Sequence, residues 1–144
     1  HENGLSAEII VSSYGALFLQ SVRSAEKKRV MELAQVDFRN RAEDYGIPVE
    51  TRSFTLDDIR EAIAGGKLVV VLISGFVMFG KKVPHWVLAI GDDGEHIVIH
   101  DPWIEGAHAE TSADAANIPI PYDVFMRMAQ FGKTLRAAVI LGKR

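Results

Sequence analysis

The sequence predicts an α+β fold, a mainly antiparallel sheet packed with helices. Three observations carry that expectation. Residues 67–74 (KLVVVLIS) are apolar without alternation, as in a central strand covered on both faces. Asp92-Asp93-Gly94 separates two β-rich segments and reads as a hairpin loop. Between Ser24 and Tyr45, the residues Met31, Ala34, Phe38, Ala42 and Tyr45 recur with helical period, and charges of both signs fill the other face.

The remaining elements follow in order. Residues 7–12 (AEIIVS) are short and β-branched and suit a strand. Ser24 is placed to cap the long helix, and Gly46 with Pro48 stops it, because Gly suits the position after a helix and Pro cannot continue one. Residues 48–53 read as a short strand. Thr55 followed three positions later by Asp58 is a helix-start signature, and Gly65-Gly66 closes that helix. Residues 75–82 read as a loop, 86–91 and 96–100 as the hairpin strands, and 105–117 as a long surface loop. Residues 122–131 suit a short helix and 134–141 (TLRAAVIL) a closing strand. With no repeat, low-complexity tract or Pro/Ser-rich linker, residues 1–144 are expected to form a single domain.

Composition narrows the function classes. The 144 residues are 48% hydrophobic and 24% charged, ordinary for a globular chain. Sixteen Lys and Arg against 19 Asp and Glu leave a net charge of -3. No concentrated positive field exists to hold nucleic acid or an anionic membrane surface. No apolar run reaches bilayer-spanning length, so membrane insertion is not expected, and a cytoplasmic location is. The chain contains no cysteine, which excludes disulfides, thiolate metal sites and a thiol nucleophile within these residues. It begins at His1 rather than Met, and we expect it to be a piece of a longer protein, with His1 a tag or cleavage remnant.

The chemistry-bearing segment is Pro84-His85-Trp86 … His100-Asp101-Pro102. A three-residue loop at residues 92–94 sets His85 opposite Asp101; a two-residue turn sets it opposite Pro102. In both registers the imidazole and the carboxylate lie at one end of the hairpin. A carboxylate that accepts from one ring nitrogen holds the tautomer and leaves the other nitrogen as a base. That is the base-and-orienter half of a nucleophile–His–Asp triad. A hydrogen-bonded structural pair at the strand ends is the competing reading, and Asp101-Pro102 is also a common strand-exit turn.

Residues 80–103 (GKKVPHWVLAIGDDGEHIVIHDPW) resemble the His–Asp half of papain-like cysteine peptidases of the bacteriocin-processing, double-glycine-leader type. They are closer still to the stand-alone C39-like bacterial group. In those peptidases a strand opens with His-Trp, a Gly-Asp turn follows, and the next strand ends in Asp-Pro. The resemblance extends over residues 5–141, through 14–38 and Phe131-Gly132. It implies the C-terminal part of a papain-like fold and cleavage of a peptide or protein substrate, with no cofactor. His85 matches the general base and Asp101 the residue that orients it.

The resemblance also implies a nucleophilic Cys on an N-terminal helix, with a Gln just ahead of it. This chain has neither that Cys nor a segment before Leu5 for such a helix. Two explanations compete: the chain is part of a longer peptidase, which the His1 start favours, or it is a catalytically silent relative that binds peptides or proteins. Ser12, Ser13, Ser21 and Ser24 sit in no strand–turn–helix elbow and are expected to serve turns and caps. A metal site is the weaker alternative. His96 and His100 are about 13 Å apart along one strand, and His85, His100, Asp101 and His108 converge only if the loop after Trp103 folds back. Trp86 and Trp103 are expected in the core or at its rim, or as walls of a peptide cleft. Phe76, Met78 and Phe79 are candidates for the same wall, or for an apolar surface through which the isolated chain self-associates.

Overall fold

The computed structural model describes residues 4–104 and 110–143. His1, and residues 105–109 of the expected long loop with His108, lie outside the described residues. Among the described residues, seven strands and four α-helices follow in the order β1 (Leu5–Val11), α1 (Ala25–Asp44), β2 (Val49–Glu50), α2 (Leu56–Ala64), β3 (Leu68–Ser74), α3 (Phe76–Phe79), β4 (Pro84–Asp92), β5 (His96–His100), β6 (Ile118–Pro121), α4 (Tyr122–Met128) and β7 (Ala137–Lys143). The strands form one sheet in the order β2-β1-β7-β3-β4-β5-β6. Every neighbouring pair is antiparallel except β1 with β2. The α+β class expected from the sequence is the architecture observed.

The apolar run of β3 lies at the centre, between β7 and β4. One face of the sheet carries Val69, Val71 and Ile73 with Val87, Ala89, Ile97 and Ile99, and packs on Ile59 of α2 and on Phe125 and Met128 of α4. All of these are almost fully buried. Each large side chain so buried contributes roughly 1.5–3 kcal/mol relative to exposure. The opposite face is only partly covered, by a smaller cluster of Val11, Leu72 and Ala137 with Phe18 and Phe131 against it. Leu68 stays 41% exposed there, so β3 is not covered on both faces along its whole length.

The capping signals act as read. Ser24 accepts from the Lys27 amide at the start of α1. At α2, Thr55 and Asp58 form a complete capping box, and Arg52 donates two bonds to Asp58, at 2.8 and 2.9 Å. Those Arg52 bonds, more than any other cause, pull the Asp58 carboxyl down to about 2. A second polar knot holds the far end of the hairpin. Asp92 accepts from Tyr122 of α4, from the Gly94 amide at 2.9 Å and from Arg60 of α2 at 2.8 Å. Led by the Tyr122 bond, these donors hold the Asp92 carboxyl at about 2.

Four expectations change. The strand expected at residues 48–53 shrinks to Val49–Glu50, which adds in parallel to the sheet edge beside β1. Within residues 75–82, Phe76–Phe79 form a helical turn. Ile118–Pro121 form an edge strand that alternation failed to signal, because its two prolines donate nothing to a ladder and are tolerated only at an edge. The periodic face of α1 is also not core: Ala42 is its one buried residue, and Phe38 is 62% exposed. Helical period reports a stripe, and nothing local says what covers it.

Candidate active site

His85 lies near the start of β4, paired with Ile73 of β3. Asp101 directly follows β5. The hairpin register differs from both expected alternatives. The ladder pairs Asp92 with Ile97 and Gly91 with Val98, then shifts by one so that Ala89 pairs with Ile99 and Leu88 with His100. The loop is therefore longer than expected, and Ile90 is an unpaired extra residue, a β-bulge. Asp93 builds that loop by accepting from the Glu95 and His96 amides at 2.9 and 2.7 Å, with Gly94 at φ 95°. Continuing the ladder beyond His100 sets Asp101 against Val87, two residues along from His85.

Side chains alternate along a strand, so this spacing leaves His85 on the same face as Val87, the helix-covered face. A diagonal neighbour two residues along is within reach of a His and an Asp side chain. The His85 Nε2 and Asp101 Oδ1 atoms are 2.7 Å apart. Oδ1 also accepts from the Trp103 amide at 2.8 Å, and the Asp101 amide donates to the Ala115 carbonyl at 2.8 Å. The Asp101 side chain is 3% exposed and that of His85 16%. An ionised carboxylate only accepts, so the bond places the imidazole proton on Nε2. Nδ1 takes no hydrogen bond from a described residue and is the nitrogen able to accept a proton.

Phe79 sets the ring from the other side. Its centroid is 5.3 Å from that of His85, with the planes at 81°, an edge-to-face contact. Gly75 makes room for it: a Cβ there would stand 2.9 Å from Phe79 Cδ2 and 3.0 Å from Val83 Cγ2. Of the aromatics expected near the pair, Phe79 touches it, and Trp103 contributes its amide while the residue as a whole is 59% exposed. Trp86 follows His85 on β4 and so projects from the opposite face, paired with Leu72. The Ala115 carbonyl, Gly75 and the Trp103 amide had no signal in the sequence, since each acts through backbone or through lack of a side chain.

The other candidates are engaged locally. The Ser12 hydroxyl donates to Thr134 and accepts from Arg136, and those of Ser13 and Ser21 donate to Gly15 and Phe18. His100 Nδ1 accepts from the Asn117 amide at 3.0 Å, and His96 Nδ1 lies 3.1 Å from Asp93. Among the described residues, no three His, Asp or Glu side chains gather as a metal would require. No described helix is long and apolar enough to cross a membrane.

A family model described as Peptidase_C39 like family matches residues 1–142. The chain belongs to that family. The match covers every strand and helix above except Lys143 at the end of β7, includes both members of the His85–Asp101 pair, and is consistent with a papain-like fold. No curated protein and no solved structure matches the chain.

Proposed function

We propose that residues 1–144 are a single peptidase-like domain, the C-terminal part of a papain-like cysteine peptidase of the bacteriocin-processing type. In this reading His85 is the general base and Asp101 the carboxylate that orients it. The 2.7 Å bond from Nε2 to a buried carboxylate, with Nδ1 left to receive a proton, is the observation that supports it best. The thiol proton passes to Nδ1, the thiolate attacks the scissile carbonyl carbon, and the imidazolium returns the proton to the leaving amine. Water then attacks the thioester with His85 again as base. No cysteine occurs in these residues, so the thiol comes from outside them and the isolated chain does not turn over.

The absence of cysteine also favours a second reading, a non-catalytic module that binds a peptide or protein in the same cleft. One experiment separates the two. The protein is purified as its native cell makes it, its intact mass and thiols are counted, and hydrolysis of a peptide mixture is followed with and without a thiol-alkylating reagent. The peptidase reading expects a mass above 15.9 kDa and hydrolysis that alkylation stops. It also expects His85→Ala to abolish turnover and Asp101→Asn to lower it by about a hundredfold or more. Unchanged hydrolysis in His85→Ala overturns the assignment, and peptide binding without hydrolysis selects the second reading.

A further inference from the structure

His100 precedes Asp101 in the chain but serves the other face of the sheet. Ile97 and Ile99 pack towards the helices, so His96 and His100 of β5 face away from them. There the His100 Nδ1 accepts from the Asn117 amide at 3.0 Å. A backbone N–H only donates, so this Nδ1 carries no proton. The ring is neutral, with its proton on Nε2.

That bond is half of a clasp. The Asp101 amide donates to the Ala115 carbonyl at 2.8 Å, two residues before Asn117. Consecutive residues at the end of β5 therefore hold residues 115–117, one as acceptor and one as donor. Ala115 is buried, and Asn117 has a left-handed backbone with φ 54°, a region that Asn tolerates better than most residues. The other hydrogen bonds of residues 111–116 stay inside their turn. Thr111 and Asp114 bond each other, and the Ala115 and Ala116 amides donate back to Thr111 and Ala113. The clasp thus fastens the turn to the backbone of Asp101.

Protonation reverses one half of it. A proton from water fills Nδ1, and an imidazolium donates from both nitrogens, so the ring meets the Asn117 N–H donor against donor. Few other titratable groups stand near. From β4, Leu88 and Trp86 share this face, and from β6 Pro119, none of them charged. His96 of β5 is about 13 Å back along the strand, with its Nδ1 at Asp93. The turn carries Asp114, bonded to Thr111, behind Glu110. The Asp101 carboxylate lies on the opposite face, at His85.

Resting on the peptidase-like reading for its catalytic meaning, we infer that His100 is a pH-sensitive positioning residue for Asp101. Its neutral ring fastens residues 115–117 to the orienting carboxylate's backbone. Protonation releases them, which strips the Asp101 amide of its acceptor and loosens the His85–Asp101 pair.

The test follows the ¹⁵N-labelled chain by NMR across pH, with the His100 ring resonances marking its own protonation. With the ring neutral, long-range ¹H–¹⁵N spectra should place its proton on Nε2 and show a coupling from Asn117 N across the hydrogen bond to Nδ1. As the ring protonates, that coupling should vanish, and the Asp101, Trp103 and Asn117 amides should lose about tenfold in exchange protection. His100→Asn supplies an amide oxygen near the place of Nδ1 that accepts at every pH. It should keep the three amides protected and remove the step. His100→Leu has no acceptor and should leave them weakly protected even at neutral pH. A ring proton on Nδ1, or protection unchanged as the ring titrates, overturns the inference. So does full protection in His100→Leu, or the same step in His100→Asn, which would assign it to His85 or His96. Hydrolysis enters none of these readings: the clasp fails on amide exchange and the peptidase reading on His85→Ala, each without the other.

Discussion

Asp101 lies one diagonal step across the β4–β5 ladder from His85, and the single extra residue at Ile90 puts the two on the same side of the sheet. Without that bulge the ladder would keep the register of its loop end, where Asp92 faces Ile97, and Asp101 would fall opposite Leu88. A slip of one residue turns a side chain to the other face. The bulge also lets His85 and Asp92, seven positions apart, both face the helices, where one meets Asp101 and the other Arg60 and Tyr122. Removing Ile90 should therefore break one of these contacts, while Ile90→Ala, which keeps the residue count, preserves both. Thermal unfolding with the His85 ring resonances as a second probe checks this. A deletion variant with both unchanged would show that the bulge does not set the facing.

The tautomer of His85 is a direct consequence of its partner. Long-range ¹H–¹⁵N spectra at neutral pH should report the proton on Nε2, because Asp101 only accepts. In Asp101→Asn the amide can turn its NH₂ towards the ring, and the proton should shift to Nδ1. A wild-type proton on Nδ1 would remove the free base on which the peptidase reading depends.

Gly75→Ala should disturb the site without touching it. The added methyl meets Phe79 at 2.9 Å and Val83 at 3.0 Å, so α3 must move. Overpacking of this kind costs about 1–3 kcal/mol. The expected signature is loss of the NOE contacts between the Phe79 and His85 rings, together with a lowered midpoint in urea. Retention of those NOEs would mean that the loop absorbs the methyl elsewhere.

Acid should loosen the hairpin end before it reaches the rest of the sheet. The Asp92 carboxyl is depressed to about 2 in the fold, below its ordinary 3.8. A depressed carboxylate contributes its full stabilisation above the unfolded value and loses it as pH falls through the folded one. The window therefore runs from about pH 4 down to about pH 2. Asp92→Asn should destabilise the protein by about 2 kcal/mol at pH 7 and flatten the stability profile across that window. Asp58, held at about 2 by Arg52, adds a parallel contribution that this variant leaves in place. An unchanged slope in Asp92→Asn would mean that Asp92 carries none of the acid dependence.

The two long-range faces make opposite predictions for phenylalanine. Phe125→Ala in α4 should cost about 3–5 kcal/mol, since its side chain is fully buried against the sheet. Phe38→Ala in α1 should stay within about 0.5 kcal/mol in the isolated chain, because Phe38 is 62% exposed. Exposed Val30, Leu33 and Leu68 add to the apolar surface, and we expect sedimentation of residues 1–144 to show concentration-dependent association. A clean monomer would count against that expectation.

Local chemistry determined much of this protein. The Thr55/Asp58 box, the Ser24 cap, the apolar run of β3 and the His85 and Asp101 ends of the hairpin were all legible, because each rests on neighbours within a few positions or on alternation along one strand. The sequence could bring His85 and Asp101 to one end of the molecule, but it could not choose their register. That choice depends on a four-residue gap held by Asp93 and on the bulge at Ile90, and no single residue type there announces either. The facing of α1 was hidden for a related reason: the same stripe of Met31, Ala34 and Phe38 fits a buried helix and an exposed one. Tertiary structure alone decided what covered each stripe and how Phe79 met His85 across Gly75. Each of these joins residues distant in the chain, and their contact energy exists only once the sheet has closed.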